Sequence, residues 1–139
     1  LLIDYDCNIL EGTGKMSREG RMHALILRNI PEVGGVIHAH PFYTMVFVAA
    51  CKPIPQVTEA TLKMGETGLI HQAKAYSEEL AENVYQYFMP RREQLKKTGL
   101  CVLLPYHGTV AVGKSIEQAF SVVERVECDA VCNLLGKLI

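Results

Sequence analysis

Apolar and polar positions along this chain switch between two periods, and the switches mark out its elements. "LLIDYDCNIL" (1–10) has apolar arms around Asp6, Cys7 and Asn8, the pattern of a hairpin. After the loop "EGTGK", Ser17 fits an N-cap and Glu19 a first helical turn. Met22, Leu25 and Ile26 then form an apolar stripe at helical spacing. Pro31 and the pair Gly34 and Gly35 end that helix. The strand "VIHAH" (36–40) follows and stops at Pro41, which cannot donate to a ladder. "FYTMVFVAA" is a continuous apolar run, read as a buried helix. Beyond Pro53 and Pro55, "SEELAENVYQYF" is a helix capped by Ser77. Glu78 and Glu79 suit its positive end, and Leu80, Val84 and Phe88 line one face. Met89-Pro90 closes it, and "RREQLKK" reads as a solvated charge run. "LCVLL" and "TVAVG" are strands flanking the turn "PYHG". A long helix begins at Ser115, where Ser115 and Gln118 fit a capping box. Strands and helices mix without strict βαβ alternation, which predicts a mixed α/β fold with helices covering a central sheet.

Composition narrows the classes of function. A chain of 139 residues suits one domain, spanning 1–139, with a real core. Hydrophobic residues at 49% and a net charge of −1 give no electrostatic argument for nucleic acid or a membrane surface. No apolar run reaches the roughly 18 residues of a spanning helix, and the first ten residues lack the basic front of a signal peptide. The five cysteines are odd in number and show no CxxC pairing, so they read as reduced core thiols of a cytoplasmic protein.

The chemistry centres on histidine. His38 and His40 lie two apart on a strand and therefore share a face. Each buried polar group left unsatisfied costs about 1–3 kcal/mol, and one shared cation satisfies both rings. His107 sits at the tip of another apolar strand, followed by Gly108, which lets backbones approach closely. Three neutral imidazoles suit zinc with an open coordination position, and manganese, cobalt or iron are alternatives. Glu19 has two readings: an acid complementing the helix dipole, or a carboxylate near the metal able to move a proton. His23, one turn later on the same face, is a core or supporting histidine. His71 reads as structural and Glu59 as a solvated loop residue.

Together, "MSREGRMHALILRNIPEVGGVIHAHP" and "LLPYHGTVAVGKSIEQAF" resemble the class II aldolase/adducin family. The specific core is S-x-E, then P-x-x-x-x-x-x-H-x-H-P, then H-G-x-x-x-x-G before a long helix. The resemblance implies a central sheet with helices on both sides, assembled as a homotetramer with sites at subunit contacts. It implies that His38, His40 and His107 bind a divalent metal, most simply zinc. Glu19 then matches the catalytic acid/base carboxylate and Ser17 a serine that binds substrate phosphate. Arg18 departs from the family pattern, which often has a second serine there. The implied activity is a lyase cleaving a small phosphorylated ketose, such as fuculose 1-phosphate, through a metal-stabilised enediolate. An epimerase or dehydratase of a ketose phosphate, or an adducin-like binding module, is the alternative. The chain opens on Leu1 in mid-strand, so the family's N-terminal segment and C-terminal tail are expected to lie outside it.

Overall fold

Each element begins where a side chain or a glycine permits it. The computed structural model describes residues 1–139. Strands β1 (Leu2–Ile3) and β2 (Ile9–Glu11) pair antiparallel, as the opening pattern predicts. The Asp4 carboxylate closes their turn by accepting from the amides of Asp6 and Asn8 at 3.0 and 2.8 Å. Helix α1 (Gly20–Asn29) starts later than an N-cap at Ser17 would place it. The Ser17 hydroxyl oxygen instead accepts from the Glu19 amide at 3.3 Å, forming a turn ahead of the helix. Glu19 is thus the capping residue, and its side chain makes no capping bond. That leaves its carboxylate free to face another part of the molecule.

Strand β3 (Gly35–Ala39) is followed by helix α2 (Thr44–Ala50). The amides of Tyr43 and Thr44 and the Thr44 hydroxyl, at the start of α2, all donate to the Glu127 carboxylate, at 2.7 to 2.8 Å. This helix is one-sided rather than buried: Thr44 and Val48 face the core and Val46 faces out. Helix α3 (Glu78–Phe88) is capped by the Ser77 hydroxyl, which accepts from the Leu80 amide at 3.0 Å, and it buries Leu80, Val84 and Phe88. The following charge run is not wholly solvated. It contains the short helix α4 (Arg92–Leu95), where Leu95 is buried and Arg92 grips Glu32 through two hydrogen bonds of 2.8 and 2.9 Å. Strands β4 (Leu100–Leu104) and β5 (Gly108–Gly113) lead to helix α5 (Ile116–Leu135). Ser115 caps α5 by accepting from the Gln118 amide at 3.3 Å, while Gln118 reaches back to the Lys114 amide, one residue short of a full capping box.

The sheet is antiparallel with order β3–β5–β4. Every residue of β4 and β5 is buried, so both faces are covered, which is the mixed α/β arrangement expected. Helix α5 runs along β5 and β3, while α1 and α3 pack on each other and reach β3 and β4. The glycine pair after α1 does more than end a helix. A Cβ at Gly35 would collide with the backbone of Ser115 and Ile116 at 2.5–2.6 Å, so glycine lets the start of α5 lie directly on β3. The thiols correct an expectation. Cys101 is buried, its pKa pushed up to about 12 by that burial, but Cys51, Cys128 and Cys132 are exposed. No helix is long and apolar enough to cross a membrane.

Candidate metal centre

Strand register brings His107 to His40 and His38 across 67 and 69 residues of sequence. Strands β3 and β5 are antiparallel, so the C-terminal end of one lies beside the start of the other. Ala39 pairs with Thr109, which sets His40 beside Gly108 and next to His107 in the β4–β5 turn. Gly108 makes that approach possible. A Cβ there would strike the His40 ring and stand 2.8 Å from the Ala39 carbonyl oxygen. His38, His40 and His107 each offer a ring nitrogen, and these nitrogens lie within 4.8 Å of one another. Ring centroids are 4.7 Å apart for His38–His40, 4.8 Å for His38–His107 and 5.8 Å for His40–His107.

The surroundings leave lone pairs aimed inward. His38 Nδ1 lies 3.1 Å from the Thr109 carbonyl oxygen, which can only accept, so Nδ1 carries the proton and Nε2 is bare in the neutral ring. Burial, reinforced by His107 and His40, lowers the His38 pKa to about 4 against the pull of that hydrogen bond. Burial first, and His40 second, also lower that of His107. Both rings are thus neutral at physiological pH, the state a cation needs. Glu19 is only 6% exposed, and its Oε1 lies 3.4 Å from His107 Nε2. Burial raises the Glu19 pKa, with His40 opposing. Glu19 Oε1 and His107 Nδ1 are both buried without a hydrogen-bond partner. Unpartnered buried polar atoms around three convergent imidazoles are what a bound cation would satisfy, and the donor set fits a divalent metal.

The family model described as "Class II Aldolase and Adducin N-terminal domain" matches residues 1–134. The chain belongs to the class II aldolase and adducin family. It is 30% identical over 135 residues to L-fuculose phosphate aldolase of Methanococcus maripaludis, covering 96% of this chain and 68% of that protein. It is 24% identical to 5-deoxy-D-ribulose 1-phosphate aldolase of Bacillus thuringiensis serovar kurstaki, covering 91% and 56%. A solved L-fuculose 1-phosphate aldolase superposes with a TM-score of 0.84 at 28% identity, covering 97% of this chain and 60% of that one. The similarity is therefore to lyases of the family, and the chain spans between 56% and 68% of their length.

Within this class II aldolase scaffold, the other singled-out residues separate. Ser17 and Arg18 stand beside Glu19 at the head of α1, both exposed. His23 is half-buried one turn further on, with Nε2 lacking a partner, and burial lowers its pKa. It lines a cavity of about 410 Å³ with Ser17, Gly20 and Met16. His71 is exposed and away from the cluster, its carbonyl accepting from Asn83. Glu59 is exposed on a single 3-10 turn, Glu59–Thr61, tied to α5 by Asp129. Two residues escaped the sequence reading. Thr109, whose carbonyl orients His38, is visible only once the strand register is known. Tyr76 sets its ring T-shaped against His107 at 5.8 Å between centroids, and the Arg18 guanidinium carbon lies 4.9 Å from the centre of that ring. Tyr76 immediately precedes the Ser77 cap, a position no periodicity marks.

Proposed function

We propose that this protein is a metal-dependent aldolase that cleaves a small ketose phosphorylated at one end, fuculose 1-phosphate being the model substrate. The observation that carries it is the unpartnered Glu19 carboxylate against a three-histidine cluster. His38, His40 and His107 would hold the cation, for which zinc is the first choice. When bound, it supplies Lewis acidity that draws electron density from the substrate's carbonyl and hydroxyl oxygens.

The chain's own residues do the rest. Cleavage breaks the bond between the carbon next to the carbonyl and the hydroxyl-bearing carbon beyond it. That hydroxyl loses its proton to solvent, from which Glu19 later regains the one it gives, and becomes the C=O of the released aldehyde. The bonding electron pair stays on the carbon next to the carbonyl. Glu19 delivers a proton to this carbon, and burial favours the protonated form from which it can do so. The Ser17 oxygen already accepts from the Glu19 amide, so its O–H remains available to donate to a phosphate oxygen. Relatives named for fuculose and 5-deoxyribulose phosphates support a ketose phosphate as the substrate class.

A homo-oligomer, most simply a tetramer, belongs to the same proposal. Phe42 is 79% exposed and Tyr106 65%, and both stand within two residues of the metal-binding candidates. Apolar rings left open beside a site suit contact with a second subunit. Light scattering on the metal-loaded protein tests this, and a fully active monomer would remove the shared-site picture. The lyase reading is tested by incubating metal-loaded protein with a panel of ketose 1-phosphates and measuring aldehyde release. Release from at least one is expected. Metal-loaded protein that releases none, yet inverts a hydroxyl or loses water from one of them, would instead be an epimerase or dehydratase.

A further inference from the structure

Four residues other than glycine have positive φ, and two of them flank His107: Tyr106 next to it in sequence and Tyr76 across the site, at 61° and 67°. That conformation is disfavoured for any side chain with a Cβ, and it persists where the surroundings hold it. Tyr76 is half exposed, so burial of its ring is not what holds it. Its contacts are instead directed at the site, with the ring T-shaped against His107 and its face under Arg18.

Arg18 is equally telling. Arg21, Arg28 and Arg92 each face a carboxylate, at 3.6, 3.0 and 2.8 Å. Arg91, which stacks on Tyr87, donates to that residue's carbonyl, and Arg125 donates to the Ala60 carbonyl. Arg18 faces no carboxylate, and its guanidinium is stacked on the Tyr76 ring. A stacked guanidinium keeps its in-plane N–H fork free, and that fork matches a phosphate oxygen pair. Arg18 lies between Ser17 and Glu19, the serine and carboxylate already placed in the reaction.

We propose that Tyr76 is a positioning residue for phosphate recognition: its ring braces His107 and holds the Arg18 guanidinium at the mouth of the cluster, where the fork takes the substrate's phosphate. This rests on the ketose-phosphate reading above and assigns its anionic end to a named clamp.

The test compares parent, Arg18→Gln, Tyr76→Gly, Tyr76→Phe and the Arg18→Gln/Tyr76→Gly double variant, all metal-loaded with metal content matched by elemental analysis. Inorganic phosphate binding is measured by calorimetry, and KM and kcat on the cleaved ketose phosphate. Arg18→Gln should weaken phosphate binding roughly tenfold or more, the scale of a lost charged fork. Tyr76→Gly should weaken it by about threefold to tenfold, the scale of a lost cation–π contact. Tyr76→Phe keeps the ring and should restore binding, and the double variant should be no weaker than Arg18→Gln alone. KM should follow the same order while kcat changes less.

Phosphate binding by Tyr76→Gly equal to the parent's overturns the clamp. So does a Tyr76→Phe as weak as Tyr76→Gly, which would make the hydroxyl the active group. Fully additive losses in the double variant overturn it as well. A parent that binds phosphate through Arg18 and Tyr76 but cleaves no ketose phosphate removes the lyase reading and keeps the clamp. A parent that cleaves, with KM unmoved in every variant, removes the clamp and keeps the lyase.

Discussion

Two buried carboxylates, Glu19 and Asp129, have nearly the same exposure, 6% and 3%, and opposite surroundings. Asp129 sits on α5 with both oxygens engaged, one accepting from the Thr58 amide at 3.0 Å and the other from the Thr61 hydroxyl. Glu127, two residues earlier, likewise gives both oxygens to the start of α2. Glu19 has an oxygen with no hydrogen-bond partner and a histidine at 3.4 Å. Burial alone does not mark a functional acid. A satisfied buried acid fastens loops to a helix, whereas an unsatisfied one needs something the protein itself does not supply.

Glu19→Gln separates these roles most sharply. It nearly preserves shape and removes the proton carrier, so turnover should fall by roughly 10²–10⁴ while metal content and melting temperature stay close to the parent's. Activity within a few-fold of the parent at matched metal content would return Glu19 to a purely structural role. The next largest effect falls on the metal. Gly108→Ala places a methyl group against the His40 ring and the Ala39 carbonyl, and should weaken metal affinity about 10–100-fold, as disturbing a ligand's support does. A chelator competition reads this directly, and unchanged affinity would show that His40 is not a ligand.

Asp129→Ala supplies the opposite arm of the comparison. It strands the Thr58 amide and leaves the Thr61 hydroxyl to donate to the Thr58 carbonyl, and should cost about 1–3 kcal/mol of stability, read by urea denaturation. The folded fraction should keep the parent's kcat. A turnover loss beyond the folded fraction would tie the Glu59–Thr61 turn to the chemistry and reopen the role of Glu59.

How much of this was legible in the sequence follows from how local each cause is. The Ser77 and Ser115 caps, the stripe of Leu80, Val84 and Phe88 and the HxH strand rest on neighbours within a few residues, and all appear where expected. What the pattern could not carry was long-range. Asp129 looks like any helix acid until Thr58 and Thr61 arrive from 71 and 68 residues away. Ser17 looks like a cap because nothing local shows that it closes a turn first. The three histidines were gathered by motif, but the distance between them comes from the β3–β5 register. Arg92 reads as solvated until Glu32 meets it from 60 residues away.

That last pair gives the smallest expected effect and a contrast in sign with Glu19. The two hydrogen bonds from Arg92 hold the Glu32 carboxyl below the usual glutamate range, outweighing the opposing effect of burial. Glu32 therefore binds its proton less readily folded than unfolded. Its contribution to stability is present above the unfolded pKa and is lost as pH falls through the lower, folded value. Glu32→Gln removes that dependence and little else, since Arg92 remains 39% exposed and can turn to water. Melting curves of parent and variant should be separated by a small, constant gap at neutral pH that closes on acidification below the ordinary glutamate pKa. The same scans run in high salt should show only part of the gap screened, because a two-bond fork depends on geometry as well as charge. A gap that widened as pH fell would mean that Glu32 is strained rather than stabilised by its partner, and that the turn after α1 is held by the buried Val33 and Ile30 alone.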